Sequence, residues 1–163
     1  MSRPGWIADD PMIRRGLAAA REQALLSSCS RGRGGSVIMV GGEVVGRGFN
    51  HPPGGLESQR RCDRRHELAP GFRSDHTCCS HAEAVCCIAA LRRVPDLAGG
   101  FIFFARVDAE GRPLLAEIPY CTICSKLILE VGLSFVVLEQ AQGPTVYDAE
   151  SYNDLSFAAP GRG

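Results

Sequence analysis

The sequence has no surplus of charge of either sign, since 18 Lys and Arg balance 18 Asp and Glu. A chain without net charge has no bulk attraction for nucleic-acid phosphates or for an anionic membrane surface. No apolar run approaches the roughly 20 residues that span a bilayer. The first ten residues, MSRPGWIADD, lack the apolar segment of a signal peptide. These absences predict a cytoplasmic protein without a membrane partner, and they argue against nucleic acid.

The remaining composition is that of a globular chain. Of the 163 residues, 45% are hydrophobic and 22% charged, which suits one domain over residues 1–163 with a core from about residue 10 to 155 and flexible termini. The eight cysteines could form a disulfide scaffold. Because several lie next to histidines and no secretion signal precedes them, we expect reduced thiols instead.

Hydrophobic periodicity predicts alternating helices and strands. Asp10 and Pro11 suit the N-cap and first position of a helix over residues 11–26. Gly41 and Gly42 suit the turn of a hairpin over residues 37–48. Further elements are expected as a helix over 81–93 capped by Ser80, a strand over 101–107, a helix over 121–131, a strand over 133–139 and a short helix over 147–155. This order predicts a mixed sheet with helices on both faces.

Three segments between these elements are predicted to be irregular. Residues 27–35, SSCSRGRGG, form a loop, and residues 46–55, GRGFNHPPGG, contain too many glycines and prolines for a helix or a strand. Such a backbone can approach a ligand closely, with Asn50 and His51 as its polar side chains, although a purely structural turn is the alternative. Residues 56–77 form a long polar loop.

Metal-binding residue types cluster in and after that long loop. They are candidates for a second, structural zinc site, and the alternative is that some are exposed or core-packed thiols. These candidates are Cys62, His66, His76, Cys78 and Cys79.

Two short stretches predict a catalytic zinc site. Residues 78–91, CCSHAEAVCCIAAL, offer His81 and Glu83, and residues 119–126, PYCTICSK, offer Cys121 and Cys124. Three protein ligands leave the fourth tetrahedral position open for water, whose pKa zinc lowers to about 7. Glu83 would then move protons between this water and the substrate. The neighbouring Cys86 and Cys87 are expected in the core.

These stretches resemble the zinc-dependent cytidine deaminase superfamily, whose signature is H-x-E followed by P-C-x-x-C. The resemblance covers about residues 10–155 and is closest to the deoxycytidylate (dCMP) deaminases. Their G-x-G-x-N-x-x-P-x-G segment is similar to VVGRGFNHPPGG, and they also carry an insertion with Cys and His before the H-x-E. The resemblance implies an α/β fold, a three-layer αβα sandwich around a mixed five-stranded sheet.

The resemblance also implies residue roles. His81, Cys121 and Cys124 would bind zinc, Glu83 would be the proton shuttle, and Asn50 would hydrogen-bond the sugar. The base would be held by backbone near the helix starts and by aromatic rings, with Ala82, Phe49, Phe72 and Tyr120 as candidates. Superfamily members usually assemble, so a homo-oligomer is expected.

The chain departs from the family pattern in places. Tyr120 separates Pro119 from Cys121, and His51 stands where regulated members tend to have glycine, which argues against allosteric control by nucleoside triphosphates. The phosphate contacts cannot be matched one for one. Candidate arginines are Arg47, Arg60, Arg61, Arg64, Arg65 and Arg73.

The function expected from these features is zinc-dependent deamination of a cytosine nucleotide. The small-molecule substrate is dCMP, converted to dUMP with release of ammonia, or a related and modified pyrimidine nucleotide. One alternative is a tRNA adenosine deaminase or nucleic-acid editor, which shares the metal motif but needs a basic surface. A riboflavin-pathway deaminase is disfavoured because its cysteines are spaced more widely. The other alternative is a non-catalytic zinc module, in which Cys78 or Cys79 closes the site.

Overall fold

A single mixed sheet organises the chain in the computed structural model, which describes residues 5–30, 32–62, 79–117 and 121–159. The helices in these residues are α1 (Pro11–Leu26), α2 (Ala82–Leu91), α3 (Thr122–Glu130) and α4 (Ala149–Ala158). The strands are β1 (Trp6–Ile7), β2 (Arg33–Val40), β3 (Glu43–Phe49), β4 (Phe101–Val107), β5 (Pro113–Leu114), β6 (Phe135–Gln140) and β7 (Gly143–Asp148). None of the helices in the described ranges combines the length and apolar character needed to cross a membrane.

The strand order is β1-β7-β6-β4-β2-β3, and β5 pairs with the C-terminal end of β4. Only the β4–β6 pair is parallel among the pairings of the described strands. Side chains of α1 pack with Phe103 and Val137 on one face, while α2, α3 and α4 pack with Ile102 and Val136 on the other. The three-layer αβα arrangement with helices on both faces is therefore confirmed.

The predicted count of five strands is wrong, because the described residues contribute seven. β1 and β5 have only two residues each, too few for a periodic pattern. β7 begins with Gly143 and Pro144, residues that usually interrupt strands, and pairing with β6 keeps it extended. Short or irregular segments of this kind become strands through tertiary pairing rather than through local preference.

The starts of α1 and α2 are determined by different hydrogen bonds. Asp10 caps α1 as predicted, since its Oδ1 accepts a hydrogen bond from the Ile13 amide at 3.0 Å. The predicted Ser80 cap of α2 is wrong. Ser80 pairs with His51 in a β-bridge and donates its amide to the His51 carbonyl at 2.9 Å, so the N-cap position passes to His81.

Glycines let both of these helices approach the sheet. β3 runs to Phe49, one residue beyond the predicted hairpin, so the prediction of irregular structure over residues 46–55 is wrong for its first four residues. A Cβ on Gly48 would lie 2.5 Å from the Cys86 amide nitrogen and 2.6 Å from the Ala82 carbonyl oxygen. These glycines of β3 therefore serve the packing of α2. β2 likewise begins at Arg33, inside the predicted loop, and a Cβ on Gly35 would collide with the backbone of α1.

Candidate active site

Three side chains from two helix starts meet at one point. His81 and Cys121 are the N-cap residues of α2 and α3, and Cys124 lies in the first turn of α3. The His81 side chain makes no capping hydrogen bond to α2. Instead, His81 Nδ1 lies 3.2 Å from Cys124 Sγ and 3.3 Å from Cys121 Sγ. The predicted constellation is thus brought together although 40 residues separate His81 from Cys121.

This trio fits zinc. Tetrahedral bonds of about 2.1 Å to nitrogen and 2.3 Å to sulfur place the two ligand atoms about 3.6 Å apart. The observed N–S distances are within a few tenths of an ångström of that value. Two thiols and an imidazole are donors that zinc prefers. Elsewhere in the described part of the chain, no group of three His, Cys, Asp or Glu brings its ligand atoms within the 4.8 Å found here.

The pKa values of the three side chains are shifted in different directions. The pKa of Cys121 falls to about 4, because its sulfur accepts a hydrogen bond from Cys124 and, against the effect of burial, another from His81. The pKa of Cys124 is raised by that same bond and by burial, and the pKa of His81 is raised by its bond to Cys121. The site therefore already carries a thiolate that attracts a cation, and metal binding would release the Cys124 proton.

Glu83 lies in the first turn of α2 and is buried, with 7% of its surface exposed. Burial raises the pKa of its carboxyl group, and the negative charge of Cys121 raises it further. A carboxyl group whose pKa lies above its usual value suits proton transfer to and from a substrate.

Cys86 and Cys87 are core residues, as predicted. Both are buried in the cluster between α2 and the sheet. Burial raises the pKa of both thiols, that of Cys87 to about 12. Neither belongs to the group of converging ligand side chains in the described residues, so they are poor candidates for metal ligands.

Asn50 is held rigidly at the end of β3. Its Oδ1 accepts from the Gly34 amide and its Nδ2 donates to the Gly32 carbonyl, both at 2.8 Å. Ser27 donates its hydroxyl to the Asn50 carbonyl, also at 2.8 Å. The amide group retains one N–H and one lone pair beyond these bonds. The contact of Asn50 with a sugar stays a prediction.

The other predicted substrate contacts are placed differently. Phe49 pairs with Gly35, and a Cβ atom added to Gly35 would point at α1. Because directly paired residues share a face, Phe49 lies on the α1 side of the sheet, opposite α2. Ala82 is buried against β3. Tyr120 lies outside the described residues, as does Phe72.

The predicted phosphate-binding arginines that the structure describes are Arg47, Arg60 and Arg61. Arg47 pairs with Val37 and so projects on the α1 face. The Arg60 guanidinium forms two hydrogen bonds with the Glu57 carboxylate, each 2.7 Å long, and a further bond with Ser28. These contacts do not favour any one of the three described arginines as a phosphate contact. Arg64, Arg65 and Arg73 lie outside the described residues.

A second cluster of buried thiols contains a residue that the sequence analysis missed. Cys62 and Cys79 pack together with Cys29 of the α1–β2 loop. Burial raises the pKa of Cys62, but hydrogen bonds from Ser30 and Arg60 outweigh it and lower the pKa to about 7. The three sulfur atoms are spread more widely than the ligand atoms of the first site. His66, His76 and Cys78 lie outside the described residues. A cysteine in a polar loop carries no local signal that could have identified Cys29.

No family model matches the chain. A deoxycytidylate deaminase of Mycobacterium phage D29 is 32% identical over 137 residues, which cover 84% of this chain and 96% of the relative. The chain belongs to the deoxycytidylate deaminase family. The resemblance inferred from the H-x-E and C-x-x-C stretches is thereby confirmed, and the chain is a deaminase.

Solved structures share the fold of this deaminase. The dCMP deaminase of cyanophage S-TIM5 in complex with dCMP and dUMP has a TM-score of 0.52 at 19% identity, covering 79% of this chain and 82% of that one. A cytidine deaminase from Burkholderia pseudomallei has a TM-score of 0.57 at 18% identity, covering 85% and 94%. Both likenesses support the cytidine deaminase-like three-layer fold.

Proposed function

We propose that this deaminase converts dCMP to dUMP and ammonia at a zinc site formed by His81, Cys121 and Cys124. The observation that carries the proposal is the buried Glu83 carboxyl group beside three converging ligand side chains. The phage D29 relative and the S-TIM5 enzyme with its two nucleotides support the substrate.

Zinc held by three protein ligands supplies a Lewis acid that activates water near neutral pH. The Glu83 carboxylate accepts a proton from the attacking water, whose oxygen bonds to C4 of the cytosine ring. Glu83 passes that proton to N3 and takes the second proton of the water to the amine, so that the C4–N bond breaks and ammonia leaves. The burial of Glu83 lets it hold a proton between these transfers, because a raised pKa makes the neutral carboxyl group accessible.

An ammonia-release screen tests the substrate. We expect dCMP to be deaminated with a kcat/KM at least about 10-fold above that of deoxycytidine, because a charge-assisted hydrogen bond to the phosphate contributes about 1.5 kcal/mol or more. Equal values for the two compounds would contradict a phosphate-binding enzyme. Release from adenosine in tRNA would favour the editor alternative. Zinc binding without turnover of any cytosine or adenine compound would favour a structural module.

We also propose a second, structural zinc bound by Cys29, Cys62 and Cys79. Three buried thiols in contact are suitable ligands, and the hydrogen bond from Arg60 to Cys62 favours the thiolate that zinc requires. Metal binding would draw the sulfur atoms together and tie the α1–β2 loop to the segment before α2.

Metal analysis distinguishes one zinc from two. We expect two zinc ions per chain in the wild-type protein and one in Cys62→Ser, whereas Cys87→Ala keeps two because Cys87 is a core thiol with a pKa of about 12. Elemental analysis after gel filtration makes the measurement. One zinc in both the wild type and Cys62→Ser would show that the cluster is simply core.

Two further expectations belong to this proposal. A homo-oligomer is supported by the habit of the superfamily and by the exposed Ile88 and Leu91 of α2. A reducing, cytoplasmic environment is supported by the cysteines of the described residues, which form no disulfide.

A further inference from the structure

We infer that two partly buried hydrogen-bond tethers from the C-terminal unit β6–β7–α4 hold the Cys121-x-x-Cys124 segment in position. Gln140 makes the upstream tether and Asn153 the downstream tether, and both are positioning residues. The inference rests on the proposed zinc site.

The upstream tether holds Glu117, the last described residue before Cys121. Gln140, at the end of β6, is buried with 6% of its surface exposed, and its Nε2 donates to the Glu117 carbonyl at 3.1 Å. The Ala116 amide donates to the Glu139 carbonyl at 2.8 Å. Ala116 and Glu117, five and four positions before Cys121, are thus both bound to the sheet.

The orientation of the Gln140 amide is itself determined. Tyr147 of β7 donates its hydroxyl to Gln140 Oε1 at 2.8 Å, and Gln142 Nε2 donates to the same oxygen at 2.9 Å. Since Oε1 accepts both bonds, Nε2 must face the Glu117 carbonyl. Tyr147 is buried and packs edge-on against Tyr152 of α4, which holds its hydroxyl in place.

The downstream tether fixes the chain just after the second cysteine. Ser125 is fully buried, and its hydroxyl lies 2.8 Å from Asn153 Oδ1 on α4, closer than the 3.3 Å to the Thr122 carbonyl. The hydroxyl therefore donates across the helix interface rather than within α3. Because Ser125 follows Cys124 directly, this bond sets how α3 is rotated about its axis and where the sulfur points.

Each tether acts through the main chain and touches no ligand atom. A zinc site tolerates errors of only a few tenths of an ångström in ligand position. Apolar packing of α3 resists displacement but is non-directional, whereas a buried hydrogen bond fixes distance and angle. The C-terminal unit thus supplies the directional restraints on both sides of the C-x-x-C segment.

The test measures zinc affinity in three variants of the full-length holoenzyme by competition with a chromophoric chelator. We expect Gln140→Leu, Tyr147→Phe and Asn153→Leu each to weaken zinc binding about 10-fold or more, in the range typical of lost outer-shell partners. We also expect the thiolate-to-cobalt charge-transfer band of the cobalt-substituted proteins to shift, a signature that a loss of fold stability alone does not produce.

Two matched variants complete the test. Asn153→Asp keeps an oxygen that accepts from Ser125, so we expect near wild-type affinity and band position. Ser156→Ala removes a buried hydroxyl that bonds only to the Tyr152 carbonyl of its own helix, and we expect no change in affinity. Gln140→Leu and Tyr147→Phe each probe the upstream tether, and Asn153→Leu probes the downstream tether. If one of these variants fails to fold, zinc affinity can still be measured in the other two.

The possible outcomes distinguish a failure of the tether inference from a failure of the proposed zinc site. Wild-type affinity and an unshifted cobalt band in the folded Leu and Phe variants would overturn the tethers alone. A wild-type protein that binds no zinc would overturn the metal site and the tethers together.

Discussion

Glu83→Gln is expected to lower the kcat of dCMP deamination by about 10³-fold or more while the zinc content remains that of the wild type. General acid–base groups contribute up to about 10⁴-fold, and the amide of glutamine cannot carry a proton from water to N3 and then to the amine. Glutamine has the same size as glutamate, and Glu83 contributes no ligand atom to the candidate metal site. Steady-state ammonia release and elemental analysis on the same preparation make the measurement.

Glu130→Gln is the matched control for this variant. Glu130 lies on the exposed end of α3 and should show wild-type turnover. If Glu83→Gln turned over dCMP within 10-fold of the wild type, the assignment of the proton shuttle would be wrong. If it lost zinc, the carboxyl group would have a role in metal binding instead.

Gly48→Val is expected to destabilise the protein by about 3 kcal/mol or more and to remove activity even in the fraction that folds. A side chain at this position must displace the backbone of α2, which lies 2.5 Å from the ideal Cβ position at the Cys86 nitrogen. Overpacking against a flexible side chain costs about 1–3 kcal/mol, and backbone yields less readily. The displacement carries His81 and Glu83 away from α3.

Urea denaturation and zinc content test this expectation together. Glu43→Val, at the exposed start of the same strand, is the control and should leave both unchanged. A Gly48→Val protein with wild-type stability and zinc content would show that α2 is not seated by contact with β3.

The meeting of His81, Cys121 and Cys124 could be predicted from the sequence because its signals are local. His81 and Glu83 are two residues apart, Cys121 and Cys124 three apart, and each pair precedes a clear apolar periodicity. Zinc chemistry then limits the combinations that make sense. The alternation of helices and strands was predictable for the same reason, since each long element carries its own pattern.

The features that could not be predicted depend on register and tertiary pairing. Phe49 lies on the α1 face because β3 continues as a strand and pairs it with Gly35, a fact invisible in the loop-like letters GRGFNHPPGG. The role of Gly48 depends on which helix covers β3. Cys29 reaches Cys62 only through the folded α1–β2 loop. Gln140 likewise has no sequence neighbour that marks its contact with Glu117.

The start positions of α2 and α3 have a further consequence for the electric field at the site. Both helices begin at this site, and His81 and Cys121 bring their N-terminal ends together. Each end carries a partial positive charge from its aligned peptide dipoles. Two such ends that face one point add their electrostatic potentials. The dipoles are already oriented in the folded protein, so no further reorganisation is needed. The scaffold therefore provides a fixed positive potential that stabilises a thiolate at this point, and under the proposed function it would also stabilise negative charge that develops on the substrate.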